Sequence, residues 1–481
     1  MSVTVTDPSG PLHWWSAHDL AAAIRTRRLS AVEVMQAHLD RIAAVNGAVN
    51  AIVSPLPAEQ ALDAAREADR QVARGAPLGP LHGLPTAVKD LMDVRGLPTT
   101  HGSAAHADAP PATGDSLIVE RLRSAGAIVI GKTNTPEQGL GTLTFNPVFG
   151  ITRNPWDLDR HAGGSSGGAG AALAAGMLPI ADGSDSGGSI RYPSALCNTV
   201  GLRPSPGRVP SGRPGDVWNP HGVLGPMARS SRDAGLMLSA IAGRDDRSPI
   251  ALDDDPAAFA DPRPSDLRGL RIAWSHDGGG LPIDPEVRRV HAAARQALVD
   301  LGCAVVDVEP DFTGAEEAWE IIEMFGFYGF GGDALAGDTT KLRPDYLRNL
   351  RQGEALTAAE LAHGLALRTD VYRRTVRLLE DFDLLALPAT PVPAPPAEVE
   401  WVGEVDGTTF DRYFRWQMLA NRITVTAHPA LVTPAGFTAA GLPVGLQLVG
   451  RHRGDLALLR HGAAIEDATG WTARRPTGIP E

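Results

Sequence analysis

Two serine-bearing turns and one lysine are the residues in this chain whose types and spacing could do covalent chemistry. Gly183-Ser-Asp-Ser-Gly187-Gly188-Ser189-Ile-Arg191 follows the apolar run MLPIAD and opens the segment SIRYPSALC. Glycines directly before a serine let consecutive backbone amides converge on one point, an oxyanion hole beside the hydroxyl. A tight turn without chemistry needs the same glycines, and the turn alone leaves both readings open. Ser165, 24 residues earlier, sits in Gly163-Gly164-Ser165-Ser166-Gly167, which fits the G-x-S-x-G nucleophile elbow with His428, His452 or His461 as later partners. An elbow serine occupies one sharp strand-to-helix turn, however, whereas here two further glycines follow and a second serine turn comes soon after. The lysine is Lys89, in the apolar run PTAVKD. Of 44 Lys and Arg residues only Lys89, Lys132 and Lys341 are lysine, so where the chain needs positive charge it nearly always uses arginine. A lysine ammonium can lose its proton when desolvated and an arginine cannot, which offers a chemical reason for a lysine in an apolar strand; taken alone, the scarcity of lysine leaves chance placement at three sites equally open.

Lys132 belongs to a different pattern. Gly126-Ala-Ile-Val-Ile-Gly131-Lys132-Thr133 matches the phosphate-loop motif letter for letter. In a phosphate loop the intervening residues follow a strand and wrap their amides round phosphates; Ala-Ile-Val-Ile is itself a strand, so nucleotide binding is rejected.

The elements that must position these residues are those of an α/β protein. Ser16 with Asp19, and Ser30 with Glu33, are capping signatures before LAAAIRT and VMQAHLDRIAAV, predicting opening helices. From about 79 to 210 the texture changes to short apolar strands (PTAVKD, AIVIGK, MLPIAD), glycine-rich turns and the small-residue helix GGAGAALAAG. Residues 243–267 are acidic and proline-rich and read as an exposed connection. LRIAW, the helix around VRRVHAAARQALVDLG and CAVVDVEP form a β-α-β-like unit. Residues 314–380 read as helical, and their aromatic stretch Phe325, Phe327, Tyr328 and Phe330 is read as a core or interface patch in preference to a substrate lid. DLLALPATPVP, PALVTPAGF and LPVGLQLVG return to strands, and DLALLRHGAAIEDATG closes with a helix. Strands from the middle and the end predict one large mixed sheet covered on both faces by helices, hence a single domain over 1–481.

Composition narrows the partners. Over 481 residues, 43% are apolar and 21% charged, and no apolar run approaches the roughly 18 residues of a membrane span. A formal charge of −12 without a basic stripe disfavours nucleic acid and anionic membranes and suits small neutral or cationic ligands, acted on by a monomer or homodimer. Cys197 and Cys303 have neither the number nor the spacing for a disulfide framework or a zinc site and read as buried thiols. No metal and no organic cofactor is expected. The first thirty residues lack the basic start, apolar middle and cleavage site of an export signal, so the cytoplasm is the expected location.

Taken together, GPLHGLPTAVKDLMDVRGLPTTHGS, NPVFGITRNPWDLDRHAGGSSGG, DGSDSGGSIRYPSALCNTVGLRPSPGRVP and PALVTPAGFTAAGLPVGLQLVG resemble, in order and spacing, the amidase signature family. The resemblance spans most of the chain. It implies that Lys89 is the catalytic lysine, Ser165 a serine joined through a cis peptide, and Ser189 the nucleophile. It also places the amides of Ser186, Gly187, Gly188 and Ser189 at the oxyanion hole, with Arg191 and Ser166 bracing the site. Two departures stand out: His161-Ala162 precedes GGSS where a small or hydroxyl residue and a proline are commoner, and Asn198 replaces a usual glycine.

The implied reaction is hydrolysis of small or medium non-peptide amides, with aryl amides and carbamates as close chemical relatives; a rival within the fold is the glutaminase subunit of a tRNA-dependent amidotransferase. Amide resonance weakens both the electrophile and the leaving group, so the reaction needs an activated nucleophile, an oxyanion stabiliser and an acid for the departing nitrogen. The mechanism asks Lys89 to begin as a neutral amine, whereas with an ordinary pKa of about 10.4 only roughly one lysine in a thousand is neutral near physiological pH. Alternation along a strand places Asp90 on the face opposite Lys89.

Overall fold

Capping chemistry starts the chain as its sequence requires. The Ser30 hydroxyl accepts the Glu33 amide while the Glu33 carboxylate accepts the Ser30 amide, and the helix Ala31–Val49 follows; Ser16 accepts the Asp19 amide ahead of Ala17–Arg25. The computed structural model describes residues 10–212 and 216–480. Residues 1–9, with which the reading of export signals begins, lie outside the described residues.

A small sheet forms first. Strands β1 (Ile52–Val53), β2 (Pro85–Lys89) and β3 (Ile128–Thr133) stand in the order β1-β3-β2, with β2 and β3 parallel and β1 antiparallel. The parallel pair is joined through the helix Leu117–Ser124, the crossover that parallel strands need. The supposed phosphate loop is thus the strand β3. A hairpin of β4 (Arg153–Asn154) and β5 (Asp157–His161) leads to the GGSSGG turn.

The large sheet is assembled from β6 (Ile180–Asp185), β7 (Val200–Arg203), β8 (Val223–Ala228), β9 (Arg271–Trp274), β10 (Ala304–Asp307) and β11 (Leu384–Pro388), with a small hairpin of β12 (Glu404–Val405) and β13 (Thr408–Thr409) set apart, and then β14 (Ala430–Phe437) and β15 (Pro443–Gly450). Its order is β10-β9-β11-β15-β14-β7-β8-β6. The β9 and β10 pair is parallel, joined by the helix Pro285–Asp300, while β14 and β15 are antiparallel. The sheet is therefore mixed, as predicted. Helices cover both faces: on β14, Leu431 packs at Gly462 of the helix Asp455–Thr469, whereas its neighbour Val432 lies with Gly445 against Ala195 of the helix Arg191–Cys197. Adjacent side chains of a strand point to opposite faces, so these two helices lie on opposite sides.

The lysine strand does not join the eight. It abuts β6 through polar contacts, the Lys89 amide donating to Asp182 Oδ1 at 2.9 Å and the Thr86 hydroxyl to the Ile180 carbonyl at 3.2 Å. The predicted single sheet is thus a large sheet with a small one docked on its β6 edge, where side-chain contacts with β2 stand in place of a ladder.

Residues 315–381 form the helices Ala315–Gly331, Pro344–Ala355 and Ala358–Asp381. The aromatic stretch is not core. Phe325, Tyr328 and Phe330 are 37%, 38% and 57% exposed, and only Phe327 is anchored, edge-on against Tyr346. The stretch lies on a helix running over the mouth of a cavity, where it meets solvent on one side.

Candidate active site

Lys89 ends β2 fully buried, and its Nζ lies within hydrogen-bond distance of the hydroxyls of Ser165 (2.7 Å), Ser166 (2.9 Å) and Ser184 (3.0 Å). Alternation sends Asp90 the other way, where it pairs with Lys132 Nζ at 3.0 Å and accepts the Thr100 hydroxyl. The two buried lysines therefore have different surroundings: Lys132 sits against a carboxylate, and burial still outweighs that partner and draws its pKa below the ordinary lysine value.

Ser165 and Ser166 precede the small-residue helix Gly167–Ala174, and the Gly164–Ser165 peptide is cis. Small residues are required here by close approach, since a Cβ on Gly168 would stand 2.3 Å from the Asn134 amide nitrogen. The Ser166 amide donates to the Ser189 carbonyl at 3.0 Å, which ties the two serine turns together, and the Ser166 hydroxyl accepts both Lys89 and the Ser184 amide.

The second turn is held by Asp185 at the end of β6. Its carboxylate accepts the amides of Gly188 (3.0 Å), Ile190 (3.1 Å) and Arg191 (3.4 Å), so the turn folds round one anion. Arg191 meets the same carboxylate through Nε (3.0 Å) and Nη2 (2.8 Å), a bidentate pair, and its other donors reach the Ala420 carbonyl, Gln447 and Thr424. Arg203 adds a third cationic contact at 3.5 Å. Burial alone would raise the Asp185 pKa; the guanidiniums and amides outweigh it and hold the group well below the usual carboxylate range. Gly188 is left-handed at φ 103°, and a Cβ there would press within 2.7 Å of Ala420. Because the Gly188 amide already serves Asp185, it is the one member of the four expected oxyanion donors with a partner inside the turn.

Ser165, Ser186 and Ser189 open onto a cavity of about 140 Å³, faced on the other side by Ile322, Glu323, Phe327 and Phe330. Ser165 and Ser189 are 2% and 8% exposed. Trp319 Nε1 donates to the Ser186 carbonyl at 2.8 Å and the Ser186 hydroxyl to Glu323 Oε1 at 2.8 Å, so the helix Ala315–Gly331 is bonded to the Ser189 turn. The histidines that an elbow at Ser165 would need lie elsewhere: His428 and His452 cluster with Tyr372, and His461 Nδ1 faces Ser265.

Several residues of this site, Asp185 at the heart of the second turn among them, were not singled out from sequence. Ser184 and Asp182 lie on β6, and only the docking of β2 gives them Lys89 as a neighbour. Glu323 carried a signal: it interrupts a helical stripe of Trp319, Ile322, Phe327 and Phe330. His221 carried none. Both departures from the motif have local explanations. Asn198 caps its helix at φ 58°, a conformation that asparagine tolerates better than most residues, and His161 is buried with Nε2 at 2.9 Å from the Val399 carbonyl.

The model of the family Amidase matches residues 33–459. An acylamidase of Rhodococcus erythropolis is 38% identical, with 97% of this chain and 98% of that protein covered. A glutamyl-tRNA(Gln) amidotransferase subunit from Acidothermus cellulolyticus is also 38% identical, covering 94% of each. Among solved structures, a bacterial aryl acylamidase of the amidase signature family superposes with a TM-score of 0.90 at 29% identity, over 98% of this chain and 100% of that one. Family model, relatives and fold agree: the chain belongs to the amidase signature family and is a hydrolase of carbon–nitrogen bonds.

Proposed function

We propose that the chain hydrolyses small or medium non-peptide amides through an acyl-enzyme, with Ser189 as nucleophile and Ser165 and Lys89 as its proton relay. The observation that carries this reading is the 2.7 Å contact of Lys89 Nζ with Ser165 Oγ, buried behind the cavity onto which Ser189 opens. A hydroxyl can accept one proton while donating another. Ser165 thus passes the Ser189 proton to a neutral Lys89 as the Ser189 oxygen bonds the carbonyl carbon. The tetrahedral oxyanion faces the amides of Ser186, Gly187 and Ser189; Gly188 leaves the set because Asp185 holds its amide. As the C–N bond breaks, the relay returns the proton to the departing amine, and water then attacks the acyl carbon by the same route to release the acid.

The cavity is close in size to the roughly 150 Å³ that accommodates a benzene molecule in a protein core, and its outer wall is Ile322, Phe327 and Phe330. Aryl amides fit this wall, and the likeness to an acylamidase and an aryl acylamidase supports them. Carbamates present the same acyl carbon and are included. Likeness to the amidotransferase component supports a second reading as a glutaminase, which requires partner subunits. Amide turnover by the purified chain alone separates the two. With both thiols free and buried, the chain suits a reducing cytoplasm.

A neutral fluorophosphonate tests the mechanism. It should label the wild type and Ser165→Ala on Ser189, with Ser165→Ala retaining slow turnover, whereas Ser189→Ala should lose both label and activity. Label on Ser165 would replace this mechanism by the elbow reading.

A further inference from the structure

The cavity wall opposite Ser189 carries charge of one sign. Glu323 is 13% exposed, and its Oε1 accepts the Ser186 hydroxyl at 2.8 Å. Its Oε2 lies 3.3 Å from Nε2 of His221, a residue only 3% exposed. Among the described residues neither ring nitrogen of His221 makes a hydrogen bond, although both are buried. Burial lowers the His221 pKa, against the pull of the Glu323 carboxylate beside it. His221 is positioned from behind: its backbone amide donates to Asn219 Oδ1, its carbonyl accepts Arg203 Nη2, and the Trp319 ring lies tilted to its own at 6.3 Å.

No Lys or Arg is found among the described residues that line this cavity. Arg203 stands behind the wall, committed to Asp185 and to backbone carbonyls, and Arg368 influences His221 from outside the lining. The second acidic lining residue, Asp185, is neutralised by Arg191. A largely buried carboxylate whose direct contacts are a hydroxyl and an imidazole, with Arg203 acting on it only from behind the wall, attracts a cation or an N–H donor, and it raises the energy of any second carboxylate brought beside it.

We propose that Glu323 and His221 form a polar subsite that selects amides bearing an ammonium or N–H donor near the scissile bond and rejects those bearing a carboxylate. The inference rests on the acyl-enzyme reading above. The wall is apolar at Phe327 and Phe330 and anionic at Glu323, so the favoured substrate is a small amide with an apolar body and an amino group. His221 lends the donor group a second acceptor through whichever ring nitrogen is unprotonated.

The test uses two matched series: primary amides of a short acyl chain ending in ammonium, methyl or carboxylate, and anilides with the same groups on the ring. Each compound is assayed for turnover and for protection of Ser189 against the neutral fluorophosphonate. In at least one series the wild type should favour ammonium over carboxylate by about a hundredfold in kcat/KM or in protection. Glu323→Gln, which keeps shape and loses charge, should cut that ratio by at least about tenfold while still accepting the label. A wild type that treats the three groups alike or prefers the carboxylate in both series overturns the subsite, as does a ratio that Glu323→Gln lowers by less. Because the wild-type preference is read without any variant, a misfolded Glu323→Gln leaves the test intact. Failure of Ser189 to take the label would instead overturn the acyl-enzyme reading.

Discussion

The signature turns and the helical wall across the cavity are built on opposite principles. On one side Lys89, Ser165, Ser166 and Ser189 are at most 8% exposed, held by interlocking hydroxyls, amides and the Asp185–Arg191 pair. On the other, Phe325, Tyr328 and Phe330 are between 37% and 57% exposed, and the helix that bears them is attached to the turn through Trp319 and Glu323. Proton transfer needs donors and acceptors fixed to within tenths of an ångström, and close packing around glycine supplies that. Binding a substrate body needs area and sign of charge, which a half-exposed helix can supply and vary.

The largest effect is expected on the rigid side. Lys89→Arg keeps charge and much of the reach but cannot release its proton. A fall of about a thousandfold in kcat is expected, with Lys89→Ala comparable. Near-normal turnover by Lys89→Arg at neutral pH would make Lys89 an electrostatic residue and end the relay.

Arg191→Gln probes the clamp in place of the chemistry. Removing one partner of a buried ion pair costs about 3–5 kcal/mol, so the denaturation midpoint should fall clearly, whereas an exposed pair such as Arg66–Glu59 should barely register on substitution. An unchanged midpoint would mean that Arg203 alone suffices for Asp185.

On the open side the effects shrink. Phe330→Ala removes a lining ring that is 57% exposed, and KM for an aryl amide should rise about threefold to tenfold with kcat nearly constant. A drop in kcat without a change in KM would place Phe330 in the chemistry after all. The smallest effect concerns chelators. Among the described residues no group of three or more His, Cys, Asp or Glu is arranged to hold a metal ion, and EDTA should leave the rate unchanged; loss restored by a divalent ion would contradict the serine mechanism.

Much of this was legible along the chain because its causes are local. Turns that need several glycines show them, a helix start needs a capping hydroxyl and carboxylate three residues apart, and a strand of Ala-Ile-Val-Ile cannot wrap a phosphate. Alternation even placed Asp90 away from Lys89, where it meets Lys132. The large mixed sheet was legible too, from strands supplied by both the middle and the end of the chain.

Other features depend on residues that meet only after packing. Ser165 reaches Lys89 across 76 positions, and Glu323 reaches Ser186 across 137. Nothing near Lys89 in sequence says that its strand leaves the large sheet and docks on β6, or that Asp182 will accept its amide. The aromatic stretch read as a core or interface patch because four rings in six residues favour burial by composition; exposure of three of them removes the core half of that reading, and the helix turns them to solvent and the cavity mouth. The sequence alone determined which groups could react, since reactivity is a property of residue type and short-range backbone geometry. Tertiary structure alone decided which of them face one another and what sign of charge the substrate meets, because both depend on distances that no local pattern encodes.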